Sequence, residues 1–155
     1  MSKETLSPEQ AQLQLQLYEL RREAKLRQAR EWLFANFYAE TPEEIERVAP
    51  MGSEENAYLR MVVSYWEQAC ALLNHGALHE ELFFEINGEF YGIWERLKPI
   101  LPIMRERYQN PHMFEHLEKA AQRYEAWMNQ RAPKALEVMR EFMRQRQPQT
   151  AEAQR

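Results

Sequence analysis

The chain has 155 residues, one domain's worth, and a chain of this size removes roughly 68–70% of its unfolded surface from water on folding. With 45% hydrophobic and 28% charged residues the composition excludes a disordered polymer. A net charge of −4 gives a nucleic-acid partner no electrostatic case. The single cysteine, Cys70, excludes an internal disulfide and fits a reducing compartment. Only 4 glycines are present and alternating β-branched stretches are missing, so there is little from which to build strands.

Met1 to Gln16 shows no basic region followed by an apolar run, and no signal peptide is expected there. Uninterrupted apolar runs are a few residues long (Trp32-Leu33-Phe34-Ala35), far short of the ~20 residues that span a bilayer. A cytoplasmic location without membrane contact is expected.

In chain order, Ser7-Pro8-Glu9-Gln10 reads as a capping box with proline at the first helical position. Nothing after it breaks a helix before Tyr38. The spacing predicts one long helix carrying two apolar seams, Leu13-Leu17-Leu20-Ala24 and a rotated Leu26-Ala29-Leu33-Phe37. Such a rod would run roughly 45 Å, more than a bundle of this size needs, and part of it would pack on another chain. Thr41-Pro42-Glu43-Glu44 caps a short helix ending before Pro50, and Ser53 caps the next. That helix carries Leu59, Val62, Trp66, Cys70 and Leu73 on one stripe and ends at Gly76. A further segment opens near His79 with Leu82, Phe83 and Ile86 facing inward.

Asn87-Gly88 favours a break over one kinked helix, and Pro99 and Pro102 divide the stretch ending near Gln109. Whether 79–109 is one kinked helix or several stays open. Asn110-Pro111 caps a helix through Phe114, Leu117, Ala121, Tyr124 and Met128. Ala132-Pro133 precedes a last amphipathic helix with Leu136, Met139, Phe142 and Met143. The expected architecture is all-α: a bundle of about five to six helices with a long N-terminal helix, a single domain over 7–146, and disordered ends at 1–6 and 147–155.

Candidate chemistry is sparse. His112-Met113-Phe114-Glu115-His116 matches the H-x-x-E-H zinc pattern, which needs both histidines on one helix face and a distant acidic ligand. Only 39 residues follow His116, so two solvent-facing histidines near a helix start are the preferred reading. No histidine follows a glutamate by three positions, which removes a di-iron bundle. Cys70 lies on an apolar stripe, where a thiol is inert. No nucleophile elbow, phosphate loop or dinucleotide fingerprint occurs. Catalytic residues, metal ligands and cofactors are therefore expected to be none. Basic stretches (Arg21 to Arg30, Lys134 to Arg146) face acidic ones (Glu40 to Glu55, Glu80 to Glu95), which favours charge pairing within or between subunits over phosphate binding.

Consecutive aromatic pairs, Tyr65-Trp66, Phe83-Phe84 and Phe90-Tyr91, cannot both face one core from one helix. Their outlying members, Tyr65, Phe84 and Tyr91, are either buried from a second side or exposed interface anchors.

From Tyr65 to Trp127 the chain resembles a bacterial family of uncharacterised proteins, domain-of-unknown-function family 4760. The resemblance is carried by Trp66-Glu67, the turn at Gly76 with Leu78, Leu82 to Ile86 before Gly88, Trp94-Glu95-Arg96-Leu97-Lys98-Pro99, Arg105, Asn110-Pro111 and Phe114-Glu115-His116-Leu117. It implies a small helical domain with no assigned activity, so no catalytic residue carries over. Some relatives carry membrane spans ahead of the domain, whereas the first helix here is too polar to insert. Within this stretch Glu67, Trp94 and Arg105 suggest a partly buried ion pair against an indole.

The functional expectation is a helical interaction or scaffold protein, self-associating as a homodimer through its long first helix or binding an unknown protein partner. The alternative is a bundle that binds a small apolar or aromatic ligand among its methionines, for which a cavity of several hundred Å³ is the mark. An enzyme of unknown type comes third.

Overall fold

The computed structural model describes residues 4–148. Among them it has nine helices and no strand. They are α1 (Pro8–Arg21), α2 (Ala24–Asn36), α3 (Pro42–Val48), α4 (Glu54–Asn74), α5 (Glu80–Ile86), α6 (Glu89–Leu97), α7 (Leu101–Arg107), α8 (Glu115–Arg131) and α9 (Ala135–Arg146). The all-α expectation holds, and the expected five to six helices are too few. The expected disorder of 1–3 and 149–155 concerns residues outside those described.

The missing boundary in the N-terminal half is at Arg22-Glu23. There the long helix divides, because Glu23 turns its carboxylate back onto the amides of Lys25 (3.0 Å) and Leu26 (2.9 Å) and so caps α2. The rotated seam is the trace of this break: Leu17 is buried on α1 and Leu26, Ala29 and Leu33 on α2, while Leu20 is left exposed. No continuous rod overhangs the bundle. Further along, α5 ends before Gly88, and α6 and α7 are separated around Pro99. The stretch 79–109 is three short helices.

Local side-chain caps open α1 to α5. Ser7 and Gln10 form the reciprocal capping box, while Thr41 and Ser53 accept the amides of Glu44 and Asn56. Gly76 takes φ +86° at the end of α4, where the amides of Gly76 and Ala77 reach back to the carbonyls of Leu73 and Leu72. His79 caps α5 through Nδ1, and its Nε2 donates to the Glu4 carbonyl, tying down the segment ahead of α1.

The 21-residue α4 is the axis of the fold, with α2 and α8 packed along it, α6 laid across α8 and α9 against α8. Trp66, Phe83, Phe84, Phe90, Tyr91 and Tyr124 fill the centre. Phe84 and Phe90 stack with ring planes 12° apart, and Tyr124 meets both edge-on. The aromatic doublets are thus buried from two sides. Phe84 and Tyr91 are core residues, not exposed anchors, because α8 covers the face of α5 and α6 that α4 leaves open. Tyr65 is half-buried, and its hydroxyl donates to the Leu17 carbonyl of α1. Ile86, expected inside, is exposed, and Phe84 takes its place.

Charge complementarity is met within the chain. Glu89 at the start of α6 receives Arg30 at 2.9 Å and Arg21 at 3.9 Å, and Arg140 of α9 reaches Glu95 at 3.1 Å. Arg96 is buried without a carboxylate partner. Its guanidinium donates to the carbonyls of Leu33, Phe34 and Phe37 at the C-terminal end of α2 and lies 3.8 Å from the centre of the Tyr38 ring. The negative end of the helix dipole and the aromatic face stand in for a counter-ion.

Candidate functional site

The loop between α7 and α8 folds in an unusual way. Phe114, the residue before α8, is left-handed at φ 52°, ψ 35°, a conformation that costs a bulky residue on the order of 1–3 kcal/mol. No side chain of its own caps the helix it opens. The cap comes from α4: the Glu67 carboxylate accepts the amides of His116 at 3.0 Å and Leu117 at 2.8 Å. Arg105 of α7 holds the preceding turn, donating to the Met113 carbonyl from Nε (3.0 Å) and Nη2 (2.7 Å) and to Glu118 at 3.2 Å.

Glu67 and Arg105 therefore come to the same end of α8, and each has its own partner there instead of the other. Trp94 is buried in α6 and makes no hydrogen bond to either.

What these two residues hold in place is one wall of an apolar cleft. Ile45 of α3, Leu59 and Val63 of α4, Leu101 and Met104 of α7, and Met113 and Phe114 of the pinned loop surround a cavity of about 300 Å³, open on one side. Phe37 and Leu97 also border it. Met51 stands exposed at the mouth together with Arg60, Arg107, Tyr108, Glu46 and Asn56. The lining is overwhelmingly carbon and sulfur, with polar groups confined to the rim, the usual make-up of a small-molecule site. Unbranched, polarizable methionine side chains adapt to more than one ligand shape.

A polar cluster sits on the other flank of α8. Asn74 donates to His116 Nδ1 and to the His116 carbonyl, both at 3.1 Å, and Arg123 joins Asn74 (2.6 Å) to Glu80 (2.8 Å). Each of these contacts ties α8 to α4 or α5. His112 precedes α8 in the turn and bonds Glu115 at 3.1 Å, so the two histidines of the H-x-x-E-H pattern do not share a helix face. No group of three or more metal-ligating side chains gathers among the described residues. Cys70 is fully enclosed, and burial pushes its thiol well above the usual range.

Sequence reasoning singled out Glu67 and Arg105 but paired them with each other, whereas their main partners are the amides of His116 and Leu117 and the Met113 carbonyl. Those partners are backbone amides and carbonyls, which leave no mark in a sequence. It missed Arg60 and Arg107, for which the only available signal is that neither has an oppositely charged neighbour at i±4 on its own helix.

The fold is that of a small all-α module with an apolar cleft walled by α3, α4 and α7. The chain belongs to the family described as a domain of unknown function (DUF4760), whose model matches residues 7–124. That match reaches well upstream of Tyr65, through α1 to α3, and stops within α8. No curated protein and no solved structure matches the chain. Among the described residues, no helix is long and apolar enough to cross a membrane.

Proposed function

We propose that the chain is a binding module that takes the apolar part of a small molecule into the cleft between α3, α4 and α7. The observation that carries this reading is the cleft itself: about 300 Å³ of space lined by Leu59, Met104, Met113 and Phe114 beside an otherwise packed core. That volume lies at the lower end of the range for small-molecule pockets, roughly 300–1,000 Å³. Two charged side chains and a strained backbone hold its wall open, and strain of this kind gathers at ligand clamps.

Methionine methyl labelling tests it. Titration with the neutral apolar dye Nile red should shift the methyl resonances of Met51, Met104 and Met113 saturably and leave Met128 and Met139 in place. Filling the cleft with Met104→Trp should abolish the shifts. Broad, unsaturable shifts over all eight methionines would remove the reading.

A second reading, an interaction protein that self-associates or docks on another chain, has lost the overhanging rod that motivated it. Exposed apolar side chains support what remains: Leu15, Tyr18 and Leu20 on α1, and Val138 and Phe142 on α9. Light scattering at tens of micromolar distinguishes a homodimer from a monomer.

A further inference from the structure

We infer that the ligand of this cleft is an amphiphile with one acidic head group, a medium-chain carboxylic acid, its chain among Leu59, Met104 and Phe114 and its carboxylate on Arg60 and Arg107. The inference rests on the reading of the cleft given above and adds the ligand's class.

The rim carries the argument. Arg60 on α4 and Arg107 on α7 stand at the mouth of the same cleft, on different walls. Neither makes an ion pair among the described residues, in contrast to Arg105 on α7, which pairs with Glu118. Arg22, Arg27, Arg47, Arg96 and Arg146, none of them at the mouth of this cleft, are unpaired among those residues as well. In a chain of net charge −4, two uncompensated guanidiniums beside an apolar opening are a local reversal of sign.

Arg60 is also placed. Its Nε donates to Asn56 Oδ1 at 3.0 Å, and Asn56 is itself anchored by donating from Nδ2 to the Ala49 carbonyl at 3.0 Å. Holding Nε leaves both terminal nitrogens of the planar fork without a protein partner, and that edge matches the two oxygens of a carboxylate. Glu46 is the one acid on the rim, with its carboxylate turned toward the Met51 amide at 3.5 Å. Two arginines against one glutamate leave a single net positive charge, which suits a monoanion better than a phosphate dianion. The apolar interior offers no partner for a second polar group, so the ligand is polar at one end only.

The experiment compares decanoate with decanol at pH 7 on the full chain, by calorimetry and by the methyl resonances of Met51, Met104 and Met113. Decanoate should bind at least about tenfold tighter than decanol and should weaken as salt is raised. In the double variant R60Q/R107Q, whose folding is checked by circular dichroism, the ratio should fall to near one. Equal binding of acid and alcohol, or decanoate binding indifferent to R60Q/R107Q and to salt, overturns the assignment of ligand class and leaves the cleft reading standing. If neither compound shifts the cleft methionines, the cleft reading falls as well.

Discussion

The Glu67 carboxylate accepts the backbone N–H of Leu117 at 2.8 Å, so one helix is capped by a side chain from the middle of its neighbour. A helix start normally carries its own cap. Here Phe114 occupies the cap position in a left-handed conformation and offers no oxygen. The orphan amides of the first turn are met by a full negative charge, which also complements the positive end of the α8 dipole. The same contact fixes the angle between α4 and α8 and, through Met113 and Phe114, one wall of the cleft.

Removing that carboxylate should therefore be costly. Hydrogen bonds to charged groups contribute about 1.5–3 kcal/mol each, so Glu67→Ala is expected to destabilise the fold by about 2–4 kcal/mol in urea unfolding. Glu67→Gln keeps one acceptor and loses the charge, and should fall between the variant and the wild type. Hydrogen exchange should locate the damage at the amides of His116 and Leu117. An unchanged unfolding midpoint in Glu67→Ala would show that water caps α8 equally well.

Tyr65 couples the N-terminal helix to the core through its hydroxyl, which donates to the Leu17 carbonyl. Burial pushes this phenol from its ordinary value of 10.0 up to about 12. A folded-state value raised above the unfolded one means that the contribution is complete below pH 10 and is lost as pH rises through 12; the tyrosinate has no proton to donate. Tyr65→Phe should cost about 1 kcal/mol at neutral pH. It should also lose less stability than the wild type between pH 10 and 12, as followed by thermal unfolding across that window.

Glu23 has the opposite sign. The amides of Lys25 and then of Leu26 hold its carboxyl below the ordinary 4.5. Its contribution is present above the unfolded value and fades as pH falls through the lower folded one. Glu23→Gln should flatten the acid side of the stability profile from about pH 4.5 downward. It should also speed hydrogen exchange at Lys25 and Leu26, because the junction between α1 and α2 has lost its charged cap. Identical acid profiles for variant and wild type would mean that the junction is held by other contacts.

The elements most legible in the sequence are those whose cause is local. Ser7, Thr41, Ser53 and Gly76 act on amides or carbonyls within a few residues, and each helix end follows from its own segment. The break at Glu23 was harder to read because glutamate is an uncommon cap and no glycine or proline stands nearby; only the rotation of the apolar seam betrayed it. The cleft was invisible for a different reason. Its walls come from three stretches, around Ile45, Leu59 and Met104, whose apolar residues look like any other core-facing stripe until the fold leaves a gap between them.

The end of α7 offers the sharpest single test of backbone strain. Gln109 is left-handed at φ 51°, and the amides of Gln109 and Asn110 reach back to the carbonyls of Glu106 and Arg105. Gly76 serves the end of α4 with the same pair of bonds, yet Gln109 bears a Cβ. The left-handed conformation costs such a residue roughly 1–2 kcal/mol, offset in part by the bond from its side-chain amide to the Glu106 carbonyl. Glycine removes the steric cost and adds entropy to the unfolded chain, a loss of up to about 1 kcal/mol. Gln109→Gly should therefore be neutral to stabilising, by up to about 1 kcal/mol in urea unfolding, and Gln109→Val should be destabilising, since β-branching worsens the clash. A Gln109→Gly variant less stable than Gln109→Val would mean that the chain does not turn left-handed at this position.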